Sequence, residues 1–335
     1  MIAILFVLQH LSTAAIVYGK RLRAAYVLLS FSIFCFIYFI KPDTYDIIAY
    51  VDAVSYAYVF EPLFALLVLV FDYFTSDERT VIFLVQALLA LFLISLSFSV
   101  RPNSRLIAIS VIIFSVFFTL AVNNALRQGF SSFFLIVFSF SLINRKYLLC
   151  TACLLIATGF HLSAIAFGLV LWGVYLVFIF FGSEFLRFRS VSVAVSYLIL
   201  AVISASGFVF IDLILSAGFY SNYDGMELVK ERVPLFVKVV PIFFIFVISE
   251  FFLWNKKSSF SLLIVRHWRA FFILFVAVMS LDVRYSEIGA RILFFYFGID
   301  LVFQLYCLNH RFFKSLFASV FGSAFAINAW NVLGN

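Results

Sequence analysis

The chain has 335 residues, of which 66% are hydrophobic and 12% charged, with a mean hydropathy of +1.17. An average soluble domain carries about 25% charged residues, so this composition excludes a large soluble core and describes a membrane protein. The net charge of +7 would point to nucleic acid in a soluble chain; in a membrane protein it reads as cytoplasmic loop charge, and no nucleic-acid partner is expected.

A spanning helix needs about 17–25 mostly apolar residues. In chain order the candidates are 2–18, 24–40, 81–99, 106–122, 130–143, 147–160, 162–181, 191–211, 233–253, 270–281, 292–308 and 315–331. The expectation is an all-α, polytopic integral membrane protein of about twelve spans, folded as a single multi-span domain over residues 1–335. The first run has no basic region ahead of it and is followed by Lys20, Arg21 and Arg23, which predicts a retained helix rather than a cleaved signal. The run Pro62–Phe74, preceded by Glu61, is short; it is predicted to be re-entrant or interfacial.

Basic residues set the orientation. With Lys20, Arg21 and Arg23 inside, the basic residues Arg101, Arg105, Arg145, Lys146, Arg187, Arg189, Lys256, Lys257, Arg266, Arg269, Arg311 and Lys314 also fall inside, provided that 62–74 does not cross. The same choice places nearly all acids outside. Glu250, near the inner end of its helix, is expected to snorkel, and Asp300, mid-span, to make a helix–helix polar contact. The four cysteines lie in or at the ends of apolar runs. Cys150 and Cys153 have the spacing of a metal-binding pair, but no second pair or histidine cluster accompanies them, so they read as buried thiols.

The unusual residues collect on the predicted outer face. Between two apolar runs stands the polar stretch 123–129, holding Asn123, Asn124, Arg127, Gln128 and Gly129. Arginine and amides beside hydrocarbon are expensive, which marks a functional site, although a hairpin loop with a snorkelling arginine competes as a reading. Arg127 stands at a helix N-terminus, where free N–H groups and the helix dipole favour an anion, and so does Arg291. Together with Arg284 and Arg232 these outward arginines suit bidentate binding of phosphate or pyrophosphate. His161 interrupts an apolar stretch ahead of Ser163. Its near-neutral pKa fits a general base, and a structural histidine is the alternative. Asp43, Tyr45, Asp46, Tyr50 and Asp52 form an acidic, aromatic segment of the kind that stacks on sugar rings and binds hydroxyls, or that serves topology alone. Glu61 is harder to explain as topology: it fits a base, or a partner for Arg127 or Arg291. No nucleotide-binding loop, metalloprotease motif or triad spacing occurs, so a sugar donor is expected to be lipid-linked.

Six short pieces occur in order: Asp43-Thr44-Tyr45, Glu61-Pro62, Asn124-Ala125-Leu126-Arg127-Gln128, Phe160-His161-Leu162-Ser163-Ala164, Tyr220-Ser221-Asn222-Tyr223, and Ala290-Arg291 running into Ile292-Leu293-Phe294-Phe295-Tyr296-Phe297. The series resembles the EpsG-like branch of the Wzy polysaccharide-repeat polymerases, with Phe130 where many relatives carry a small residue. The resemblance implies a bacterial inner-membrane glycosyltransferase that polymerises undecaprenyl-pyrophosphate-linked oligosaccharide repeats into O-antigen, capsule or exopolysaccharide, on the periplasmic or exterior face. It implies pyrophosphate binding by Arg127 and Arg291, with Arg284 or Arg232 in reserve, and proton acceptance by His161, or by Glu61 or Asp43. Sugar contacts are expected from Asp46, Tyr45, Asn124, Gln128, Tyr220, Tyr223 and Tyr285. No cofactor or metal is expected, since arginines can neutralise a diphosphate. Membrane lipid is an expected partner, and the reading leaves room for a chain-length regulator and a flippase. A transporter or flippase of lipid-linked oligosaccharide is the main alternative, expected to show broken helices and midplane polar residues.

Overall fold

The protein is described from a computed structural model that covers residues 45–75, 77–113, 115–123, 125–185, 202, 235–253, 259–281, 286–320 and 322. Among the described residues every regular element is helical. We number them α1 (Tyr45–Asp52), α2 (Pro62–Phe74), α3 (Glu78–Ser95), α4 (Arg105–Ile113), α5 (Val116–Asn123), α6 (Leu126–Ile143), α7 (Tyr147–Phe160), α8 (Ala164–Phe185), α9 (Leu235–Phe251), α10 (Phe260–Met279) and α11 (Ser286–Asn309). Among the described residues four stretches are long and apolar enough to cross a membrane, Glu78–Ser99, Leu126–Ile143, Phe260–Met279 and Gly289–Asn309, and α4 with α5 makes a fifth if the bent pair is taken as one span. Large apolar side chains also face outward on most helices, which lipid tolerates and water does not. The chain is an all-α polytopic membrane protein, as its composition requires. The expected spans 2–18, 24–40 and 191–211 lie outside the described residues.

The chain divides into two compact units, residues 1–175 with 304–313, and residues 176–303 with 314–335. In the first, α6 and α7 form an antiparallel hairpin. Its turn, Asn144 to Lys146, is closed by Lys146 N donating to Ser141 O (2.9 Å) and Asn144 Nδ2 donating to Phe140 O (2.7 Å). Arg145 takes the left-handed conformation there (φ 58°), the usual way to end a helix. Arg311 does the same after α11 (φ 60°). Asp77 starts α3 by accepting from Thr80 N (2.8 Å), an N-cap that holds its carboxyl below the ordinary range. Its other end lies near the end of α11, where Arg101 N donates to Asn309 Oδ1 (3.1 Å) and Tyr306 stacks on Phe140 (5.6 Å). Arg101, Arg145, Lys146 and Arg311 therefore gather at one end of this unit, and Glu61, Asp77 and Glu78 at the other. Within this unit these basic turns and these acids lie at opposite ends.

One expected span is broken, and α2 is short as expected. The stretch 106–122 is two helices bent by 56°, because Ser115 Oγ accepts from Phe118 N (3.1 Å) and donates to Ile112 O (2.7 Å), capping a new helix mid-run. At 13 residues, α2 is about 20 Å long, short of a hydrocarbon core of about 30 Å.

In the second unit α10 begins at Phe260, ten residues before the expected span, capped by Ser259 Oγ accepting from Leu262 N (3.3 Å). Arg266 and Arg269, expected in a cytoplasmic loop, are instead buried in this helix. Glu250 does not snorkel: it is buried, accepting from Arg266 Nε at 2.7 Å and Arg269 Nη1 at 3.4 Å. Arg269 Nε also lies 2.6 Å from Asp300 Oδ1, its guanidinium sits 3.9 Å from the Phe303 ring centre, and Ser319 donates to Asp300 at 2.8 Å. Two arginines and two carboxylates thus neutralise one another across α9, α10, α11 and the helical stretch 313–320. Breaking such a buried pair strands a charge, at about 3–5 kcal/mol. Arg269→Ala should lower the detergent-solubilised unfolding free energy by about that amount, whereas removing Arg269 and Asp300 together for apolar residues of similar volume should recover much of it; chemical or thermal unfolding of the purified protein reads both.

Candidate active site

At the acidic end of the first unit, three helix ends converge. Glu61 is the residue before α2, Arg127 lies in the first turn of α6, and His161 follows the last residue of α7. The helices reach one another because two glycines leave room. A Cβ on Gly129 would stand 3.0 Å from Ala121 Cβ and 3.3 Å from its carbonyl oxygen, so α6 lies close against α5. A Cβ on Gly159 would stand 2.6 Å from Leu63 Cδ1, so α7 lies close against α2. Beneath the site Phe160 stacks on Phe130 (4.9 Å) and Phe134 (5.8 Å). This fixes the rotation of α7 against α6 and brings His161 beside Gln128.

Arg127 Nη1 donates to Glu61 Oε2 at 2.7 Å. Glu61 Oε1 lies 2.9 Å from His161 Nδ1. An ionised carboxylate only accepts, so Nδ1 carries the hydrogen, and in the neutral ring His161 Nε2 is the nitrogen that keeps a lone pair. That nitrogen faces the Gln128 amide Nε2 at 3.5 Å, a long and weak contact. The Arg127 guanidinium also rests against two aromatic faces, Phe60 at 5.6 Å and Tyr50 at 5.9 Å from the ring centres, with Nε 3.5 Å from the Tyr50 hydroxyl. Side-chain exposure is 33% for Arg127, 19% for Glu61 and 12% for His161. The arginine is thus the most accessible member of the trio. The group holds one permanent cation, one anion, and one imidazole whose Nδ1 hydrogen is directed at the anion and away from Nε2. Such a set can bind an anion and accept a proton.

Of the residues singled out in the sequence, the structure unites Glu61, Arg127, Gln128 and His161. Tyr45 and Asp46 begin α1, whose Tyr50 reaches the site. Arg291 lies in α11 within the second unit. Asp43, Asn124, Tyr220, Tyr223, Arg232, Arg284 and Tyr285 lie outside the described residues. Tyr50 and Phe60 carry more than their sequence context indicated. Tyr50 stood in the acidic, aromatic segment singled out as a sugar contact, and Phe60 adjoins Glu61 but did not stand out among 49 phenylalanines. Among the described residues no group of three or more His, Cys, Asp and Glu side chains has the arrangement of a metal site.

The model of the EpsG family matches residues 23–334, nearly the whole chain. No curated protein and no solved structure matches it.

Burial alone would push the Glu61 carboxyl up; the hydrogen bonds from His161 and Arg127 outweigh it and hold it down at about 2, against an ordinary 4.5. A depressed carboxyl stabilises the fold above its unfolded pKa, and that stability is lost as pH falls through the folded value. Glu61→Gln should therefore cost about 2–3 kcal/mol at neutral pH, a deficit that shrinks as pH drops from 4.5 towards 2. Paired unfolding curves of the two proteins across that range measure it, and a deficit independent of pH would refute the shared-carboxylate account.

Proposed function

This chain belongs to the EpsG family, a family of polysaccharide-related polymerases, and we propose that it joins undecaprenyl-pyrophosphate-linked oligosaccharide repeats into a long glycan. The observation that carries the reading is the accessible guanidinium of Arg127 beside the free Nε2 of His161. A hydroxyl oxygen of the acceptor repeat attacks the anomeric carbon of the donor chain. The bond from that carbon to the diphosphate breaks, and its electron pair leaves with undecaprenyl pyrophosphate. The hydroxyl proton passes to His161 Nε2, which Glu61 orients through Nδ1. Diphosphate is already a good leaving group, so the protein's task is to hold the two chains in line and to neutralise the charge that develops. Arg127 supplies that charge with the planar two-pronged geometry that phosphate oxygens favour.

Of the four arginines in this reading, Arg127 is the one that belongs to the described site; Arg291 remains a proposed second ligand of the diphosphate, with Arg284 and Arg232 behind it. Of the candidate bases we favour His161 over Glu61, because Glu61 is held ionised and weakly basic by its two partners. The orientation follows from charge: the site lies at the end of the first unit opposite Arg101, Arg145 and Arg311, which the positive-inside rule assigns to the cytoplasm. The reaction then faces the periplasm or cell exterior from the inner membrane.

Two observations favour the rival reading of a lipid-linked oligosaccharide transporter, the 56° break between α4 and α5 and the buried charges of Arg269 and Asp300 within α10 and α11. The described polar site nevertheless lies at helix ends rather than at mid-helix depth. Liposomes carrying the protein and a lipid-linked repeat separate the two: a polymerase yields longer glycans, a transporter only relocated single repeats.

In a deletion strain complemented with this gene, Arg127→Ala should leave single-repeat glycan and no long chains on a chain-length gel. Arg127→Lys should be impaired as well, by tenfold or more, taking about 1.4 kcal/mol as the least value of the lost second prong. Wild-type chain length in either variant would remove Arg127 from the reaction.

A further inference from the structure

The Glu61 carboxylate is divided between two partners. One oxygen takes a hydrogen bond from Arg127 Nη1 at 2.7 Å, and the other faces His161 Nδ1 at 2.9 Å. Locally, the backbone of Glu61 itself also hydrogen-bonds the carboxylate, whereas Pro62 occupies the first helical position and has no N–H, and Glu61 makes no side-chain cap on α2. Arg127 is held by this carboxylate through a single nitrogen. Its other polar contact, Nε to the Tyr50 hydroxyl, is long at 3.5 Å, and Nη2 has no partner among the described residues. The aromatic faces of Phe60 and Tyr50 hold the guanidinium plane in place without satisfying its N–H groups. A third of the side chain is exposed. A guanidinium held by one oxygen of a carboxylate, yet shaped for two oxygens, is open to exchange for a better anion.

We propose that Glu61 is a resident anion that occupies Arg127 in the empty site and passes to His161 alone when a diphosphate takes its place. The proposal rests on the diphosphate reading given above and assigns Glu61 a positioning role within it. In the empty site the arginine draws off part of the carboxylate's charge. Once phosphate oxygens satisfy Arg127, the full charge of Glu61 is directed at Nδ1, and His161 becomes a stronger base at Nε2. Donor binding and base activation are then one event, carried by one side chain. An acceptor hydroxyl arriving before the donor meets a weaker base, so the site is quiet until its leaving group is in place. Among the described residues, the charged and titratable groups that face this exchange are Arg127 from α6, His161 after α7, and Tyr50 from α1; Gln128, next to Arg127 in the first turn of α6, contacts the free ring nitrogen.

The consequence that separates this from a merely structural role is a sign. If Glu61 only holds Arg127 in position, Glu61→Gln weakens anion binding. If it competes for Arg127, the same substitution strengthens it, by on the order of tenfold for one lost charge-assisted hydrogen bond. Full-length wild type, Glu61→Gln and Arg127→Ala, each in phosphatidylcholine nanodiscs, are titrated calorimetrically with inorganic pyrophosphate and separately with geranylgeranyl diphosphate. In parallel, the ring nitrogens of His161 are followed by nitrogen-15 NMR against pH, assigned by comparison with His161→Asn. Tighter diphosphate binding by Glu61→Gln, loss of binding by Arg127→Ala, and a His161 midpoint that rises by about one pH unit with diphosphate in wild type but not in Glu61→Gln are the results expected. Weaker binding by Glu61→Gln, or an equal His161 shift in both proteins, overturns the exchange while leaving the diphosphate seat intact. Binding that survives Arg127→Ala removes the seat and the exchange together. Should Glu61→Gln fail to fold, the wild-type His161 titration still decides, since a midpoint that stays or falls on binding contradicts the proposal. Pyrophosphate and the prenyl diphosphate binding alike locates recognition in the diphosphate; a requirement for the prenyl chain adds a lipid contact without changing the sign.

Discussion

A charge within a hydrocarbon layer must be neutralised close by or carried to an interface, and this constraint organises both ionic clusters of the protein. The two clusters meet it differently. Glu250, Arg266, Arg269 and Asp300 are almost fully buried and pair off completely, two cations against two anions. Glu61, Arg127 and His161 are balanced more loosely, with the cation a third exposed and held by one strong hydrogen bond. The first cluster joins helices. The second keeps donors and a lone pair available. The same chemistry, closed in one place and open in the other, separates a structural contact from a candidate site.

Much of the scaffold follows from the helix ends around that open cluster. Gly129 and Gly159 draw α6 onto α5 and α7 onto α2, and the stacked rings of Phe130, Phe134 and Phe160 set the rotation of the hairpin. Pro62 starts α2 without needing a cap, which releases the Glu61 carboxylate for Arg127 and His161. Local backbone rules and the chemistry of the site therefore agree at the same residues. The positively charged turns collect at the far end of this unit, about 27 Å away along the 18 residues of α6. That distance approaches the thickness of a bilayer core.

The sequence made some of this legible and hid the rest for physical reasons. Hydropathy and helix length sufficed for the all-α membrane class. Arg127, His161 and Glu61 stood out because each interrupts an apolar run at a helix end, where neither packing nor topology accounts for it. The pairing of Glu61 with Arg127 was among the alternatives the sequence offered; its contact with His161, 100 residues away, was not. Phe60 was hidden by abundance in so aromatic a chain, and Tyr50, read as a sugar contact, instead lies against the Arg127 guanidinium. Arg266 and Arg269 misled because a rule that counts positive charge near a helix end does not see carboxylates on neighbouring helices. Once Glu250 and Asp300 neutralise them, the apolar span extends ten residues further towards the N-terminus. Ser115 likewise breaks a run that hydropathy reads as continuous.

The central claim is that a lipid-linked diphosphate binds where Glu61, Arg127 and His161 meet. Photo-crosslinking of the reconstituted protein with a polyprenyl diphosphate carrying a photoreactive group next to its diphosphate, read out by peptide mass spectrometry, tests it most directly. The account predicts labels within 50–61, 125–129 and 159–163, suppressed by excess pyrophosphate. Labels confined to other segments and indifferent to pyrophosphate would contradict it.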